Sequence, residues 1–244
     1  MNITPSHRST LIPWNVMTVE RRTIPLGDGQ TVSAVVAYPE VFKAGRTAAV
    51  ILAHGAGSDM QSPFLCAVHE GIAARGYVTV KFNFPYKEHG GRAPDRAPVL
   101  EDCYRRVLDA VRADRDIAAP RIVIGGKSLG GRMASHLAAQ GADVAGLLLL
   151  GYPLHPAGKP ERLRVAHLDQ ISAPMLFFAG TRDALCRLDL LREAVKRLHA
   201  PVDLHIIEGG DHSFNVPKSM KRAPAAVVDE IVGSSVDWLA GILE

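Results

Sequence analysis

A serine stands at the centre of Gly126-Lys127-Ser128-Leu129-Gly130, directly after an apolar run and directly before an amphipathic one. The small residues at 126 and 130 permit a turn tight enough to expose Ser128 on strained backbone at a helix N-terminus. Free amides and the helix dipole at such a place favour an oxyanion. The chemistry this suggests is nucleophilic acyl transfer. A serine needs a base, and the base needs an acid to orient it. Asp183 follows the apolar run 174–179 within Gly180-Thr181-Arg182-Asp183, and His212 follows the run 202–207 within Glu208-Gly209-Gly210-Asp211-His212. Each of the three falls just past the carboxyl end of a strand, where an open parallel sheet gathers its active site.

Other readings of the same residues were weighed. Gly126-Lys127-Ser128 also resembles the end of a phosphate-binding loop, but that motif needs a glycine at 121, where the chain has Arg121. Ile122-Val123-Ile124 is strand-like and cannot wrap phosphates, and the next strand ends in Gly151 rather than a magnesium-binding Asp. A nucleotide site is therefore rejected. The chain has 10 histidines. His205 falls inside a strand and His136 inside a helix, whereas glycines beside His212 let its loop reach a nucleophile. Asp211 reads as a turn former. Asp183 has a second role open to it, as cap of a helix beginning near Ala184.

The elements that must position these residues alternate short apolar runs with amphipathic segments, the rhythm of a mostly parallel sheet covered by helices. Residues 15–39 differ, reading as two strands (Val16–Val19 and Thr31–Ala37) about a Gly-rich turn, an antiparallel hairpin at the sheet edge. Strands are expected at 48–53, 77–84, 121–125, 144–150, 174–179 and 202–207. Helices are expected from Ser62-Pro63 to Gly76, across Leu100–Val111, at 129–140, across Leu188–Leu198 and across Val228–Ile242. Pro85–Pro98 reads as a long loop.

The 244 residues are 47% hydrophobic and 22% charged, which excludes disordered and fibrous classes. A net charge of +3, scattered rather than striped, makes no demand for nucleic acid. Cys66, Cys103 and Cys186 have no disulfide or metal spacing and suit a reducing compartment. No apolar stretch approaches the roughly 20 residues of a membrane span, and the prolines at 5 and 13 break any signal-peptide core. The expectation is a cytoplasmic protein without a membrane segment, cofactor or metal.

With the order Ser128, Asp183, His212, the chain resembles the α/β-hydrolases from about residue 15 onward. It is most similar to small lidless members near the dienelactone hydrolases, and to a hydrolase-like branch with a chromatin-complex subunit and testis-expressed relatives. Dienelactone hydrolases proper use a Cys nucleophile, so Ser128 argues against that specific activity. The resemblance implies an α/β fold with seven to eight strands, helices on both faces and no cap domain. It also implies an N-terminal extension at 1–14 and one domain at 15–244. It further makes His54-Gly55-Ala56-Gly57-Ser58 the loop that supplies one oxyanion amide, Ala56, with Leu129 supplying the other. Gly55 and Gly57 then allow close approach of substrate, and His54 holds the loop through a hydrogen bond.

The implied activity is hydrolysis of an ester or thioester, with a small acyl molecule as partner. The alternative is a hydrolase-like scaffold acting as an interaction subunit. Arg92 and Arg96, in the loop after strand 77–84, are candidates to bind an anionic substrate at the rim. Pairing with Asp95, Glu101 or Asp102 is the other reading of those two arginines.

Overall fold

The computed structural model describes residues 18–27 and 29–243. The expected extension at 1–14, together with Val16, Met17 and Asp28 of the expected hairpin, lies outside the described residues. Eight strands form one sheet in the order β1-β2-β4-β3-β5-β6-β7-β8. β1 (Thr18–Gly27) and β2 (Gln30–Tyr38) make the antiparallel edge hairpin, and β2 pairs antiparallel with β4 (Val78–Phe82). The remaining pairs, through β3 (Ala49–Ala53), β5 (Ile122–Lys127), β6 (Gly146–Leu150), β7 (Met175–Gly180) and β8 (Val202–Ile207), are parallel.

Continuous apolar runs become central strands because both faces of a parallel sheet are covered. Ile51, Phe82, Ile124, Leu149 and Phe177 face a core shared with α3 (Ala97–Ala113), α4 (Leu129–Ala139) and α5 (Leu188–Val195). Their neighbours in the strands, Val50, Leu52, Val123, Leu148 and Phe178, face a second core beneath α1 (Pro63–Ala73) and α6 (Pro224–Leu243). The period of two along each strand divides the apolar residues between these layers.

The structure departs from the sequence reading mainly at prolines. Pro85 opens a short helix, α2 (Pro85–Glu88), and Pro98 lies in the first turn of α3, which starts three residues before Leu100. Both bound the expected loop, yet proline suits a first helical turn, where its missing N–H would have no partner. In the same way Pro224 starts α6 ahead of Val228. α5 ends at Val195 rather than Leu198. β5 runs two residues past Gly125 because Gly126 and Lys127 still pair with Leu149 and Leu150 of β6.

Candidate active site

Ser128 is the junction of β5 and α4, with φ 51° and ψ −110°. A non-glycine residue with positive φ is strained and persists only where its surroundings force it. Here the surroundings are backbone against backbone. A Cβ on Gly126 would lie 2.2 Å from the Ala53 carbonyl oxygen, and one on Gly130 2.3 Å from the same atom. The elbow can thus pack on β3 only because both flanking residues lack side chains.

The structure brings Ser128, His212 and Asp183 together. Ser128 Oγ lies 2.8 Å from His212 Nε2, and His212 Nδ1 lies 2.8 Å from Asp183 Oδ2. Nδ1–H donating to the carboxylate leaves Nε2 to accept the seryl proton. The Asp183 side chain is fully buried, whereas that of His212 keeps 24% of its exposure. Asp183 Oδ1 also accepts the Leu185 amide at 2.7 Å, which fixes the carboxylate plane. The helix it was thought to cap starts later, at Leu188. Asp211 shapes the histidine loop as a turn former, its Oδ1 accepting the amides of Ser213 and Asn215.

The loop after β3 lies against the elbow. A Cβ on Gly55 would sit 3.6 Å from both Lys127 O and Ser128 Cβ. His54 is fully buried, accepts the Phe84 amide on Nε2 at 3.1 Å and donates from Nδ1 to Gly55 O at 2.9 Å. Burial holds its imidazole below the ordinary value, so it braces the loop as a neutral ring. Tyr86 Oη donates to Ala56 O at 3.0 Å, pinning the same loop from α2. Leu129 is the first residue of α4, so its amide has no intrahelical acceptor. Among the described residues the Ala56 amide donates to nothing either. Gly57 is exposed beside it.

Two residues of this site were not singled out from the sequence. Lys127 Nζ donates to the His212 carbonyl at 2.6 Å and stands 5.4 Å from the centre of the Phe214 ring. Burial pushes its ammonium down to about 8, partly offset by Asp183 and Asp211. The signal was available, since a lysine among glycines beside the serine is an unusual choice for a tight turn. Tyr86 carried no signal beyond its place after a strand.

Arg92 and Arg96 are exposed and, among the described residues, make no ion pair. Their expected partners are taken: Asp95 accepts the Tyr86 amide, Glu101 binds His136, and Asp102 binds Arg106. The structure brings neither arginine into hydrogen-bonding contact with Ser128, His212 or Asp183. His205 pairs with Glu230 of α6 at 2.7 Å.

A family model described as an alpha/beta hydrolase domain matches residues 46–240. The chain belongs to the α/β-hydrolase family. Its fold is that of a dienelactone hydrolase from Anabaena variabilis, with TM-score 0.73 at 21% identity, covering 93% of this chain and 99% of that one. The esterase domain of a Rhodothermus marinus protein matches with TM-score 0.72 at 14% identity, covering 93% and 100%. An α/β serine hydrolase without lid from Xanthomonas campestris matches with TM-score 0.70 at 18% identity, covering 90% and 94%. Among the described residues no helix of this α/β-hydrolase is long and apolar enough to cross a membrane.

Proposed function

We propose that this α/β-hydrolase cleaves an ester or thioester through an acyl-enzyme on Ser128. The observation that carries the reading is the unbroken hydrogen-bonded chain from Ser128 Oγ through His212 to Asp183, with both links at 2.8 Å. His212 takes the seryl proton as Oγ attacks the acyl carbon and returns it to the leaving group. Asp183 holds the imidazole tautomer and stabilises the imidazolium. The amides of Ala56 and Leu129 receive the oxyanion. A water activated by His212 then releases the acyl group. The solved esterases of the same fold support this class of chemistry, and the mechanism calls for no metal or cofactor. The partner is a small acyl molecule rather than nucleic acid or a membrane, in a cytoplasmic enzyme whose residues 15–244 act as one domain.

A fluorophosphonate probe tests this directly. Ser128 becomes labelled in the native chain, and Ser128→Ala loses labelling together with short-chain aryl-ester turnover, by at least about a thousandfold, while its circular dichroism is unchanged. Unlabelled native protein, or turnover that survives Ser128→Ala, would instead favour an inert interaction scaffold.

A further inference from the structure

Beyond the triad, an arginine that makes no ion pair among the described residues lies one helical turn from Ser128. Arg132 of α4 donates its amide to Ser128 O at 3.0 Å, so the two residues lie four apart along the same turn. The segment that leaves the carboxyl end of β6 folds back onto this part of α4. Buried Tyr152 donates its hydroxyl to Arg164 O at 2.8 Å, and His167 Nε2 lies 2.8 Å from Ser135 Oγ. Ser135 Oγ also donates to Arg132 O at 2.7 Å, so that folding brings the Arg164 segment onto the turn of α4 that carries Arg132. The Arg164 guanidinium is held below its ordinary value first by burial and then by the positive charge of Arg132.

Among the described residues no carboxylate pairs with either arginine. The buried Arg132 Nε has no hydrogen-bond partner, and among the described residues Arg132, Arg162 and Arg164 make no ion pair. Arg164 spends one donor on Pro153 O at 3.4 Å. Glu101, the carboxylate that acts on His167, is occupied by His136 at 2.6 Å and Gln140 at 2.8 Å. His167 adds no charge near neutral pH, since burial, His136 and Arg132 push it down to about 4. Two half-buried guanidinium groups that repel one another, with donors to spare, are stabilised by an anion bound between them.

We propose that Arg132 and Arg164 form an anion-binding subsite beside Ser128, which selects acyl substrates carrying a carboxylate or phosphate group. The substrate class rests on Ser128 being the acylated nucleophile; the anion site does not. Two measurements separate them. In turnover, the ratio of kcat/KM for mono-4-nitrophenyl glutarate to that for neutral 4-nitrophenyl valerate falls about tenfold or more in Arg132→Gln and in Arg164→Gln, as expected for loss of a charge-assisted donor. Arg132→Lys and Arg164→Lys fall less. Equal losses on both esters overturn the proposal, as does an unchanged ratio. In calorimetry, glutarate and inorganic phosphate are the probes, and the one bound more tightly identifies the carboxylate or the phosphate as the preferred group. Binding weakens about tenfold in each Gln variant and persists in Ser128→Ala. Failure of both anions to bind the native chain, or equal binding by the Gln variants, overturns the site whether or not esters are cleaved. Failure of fluorophosphonate labelling, with anion binding retained, counts against the hydrolase reading alone.

Discussion

Lys127 Nζ donates to the main-chain carbonyl of His212 at 2.6 Å. The residue before Ser128 therefore ties down the backbone of His212, across 85 positions of sequence. Elbow and histidine loop are joined by a charged donor as well as by the Ser128–His212 bond, which lets the Nε2–Oγ distance be set by the fold rather than by substrate.

This link has a pH signature. Lys127 sits near 8 against an ordinary value of 10.5 because burial disfavours its charge. Below about pH 8 the ammonium donates a charge-assisted bond; above it the amine donates a weaker one. kcat/KM on a short aryl ester should therefore fall along an alkaline limb near pH 8. Lys127→Arg, charged throughout, should lose that limb, and Lys127→Met should lower kcat/KM roughly tenfold below pH 8, with a smaller difference above it. A limb that persists unaltered in Lys127→Arg would assign it to another group.

The strained backbone at Ser128 gives a stability prediction opposite in sign to the expected loss of activity. Ser128 holds φ 51°, which glycine adopts without a Cβ penalty. Ser128→Gly should abolish turnover while raising stability by about 1 kcal/mol, or roughly 2–4 °C in Tm. Thermal unfolding by calorimetry reads this. A lower Tm would mean that the Ser128–His212 bond outweighs the strain.

Acid lability should centre on His69. This residue of α1 is 1% exposed, and burial, then the charge of Lys81, pushes it from 6.5 to about 4. The unfolded chain takes up the proton below 6.5, whereas the folded one resists to about 4. Stability is therefore full above 6.5 and lost as pH falls through that window, by about 3 kcal/mol from this group. Urea unfolding at pH 7 and pH 4.5 should show the loss, and His69→Gln should flatten it. An unchanged slope in that variant would move the cause elsewhere, His167 being the next candidate.

Arg92 and Arg96 lie in the loop after α2, whose Tyr86 touches the loop after β3 at Ala56 O. Exposed charges at that distance act through a screened field. Arg92→Ala and Arg96→Ala should raise KM for an anionic ester about twofold at low salt, an effect that fades near 0.5 M salt. Steady-state kinetics on charged and neutral esters will tell. Equal changes on both would indicate loss of loop stability instead.

Much of this was legible in the chain itself. Continuous apolar runs such as 48–53 and 144–150 can only be strands buried on both faces, and glycines at 126 and 130 mark a backbone that packs where no side chain fits. Local rules also located Ser128, Asp183 and His212 at strand ends, because carboxyl ends of parallel strands share one edge. The helix starts at Pro85, near Pro98 and at Pro224 are not legible locally, because proline serves both in loops and in a first helical turn, and only the neighbouring packing selects between them.

What no local pattern could supply was the partner of each charged group. The types and order of Ser128, Asp183 and His212 were fixed by the sequence, as was the chemistry open to them. Which cation meets which acceptor was decided by the tertiary structure. Lys127 met a carbonyl, Glu101 took His136, and Arg132 was left, among the described residues, without an ion pair. Long charged side chains reach several ångströms in any direction, so their pairing depends on which loop folds back across the sheet edge, a long-range outcome that spacing along the chain does not encode.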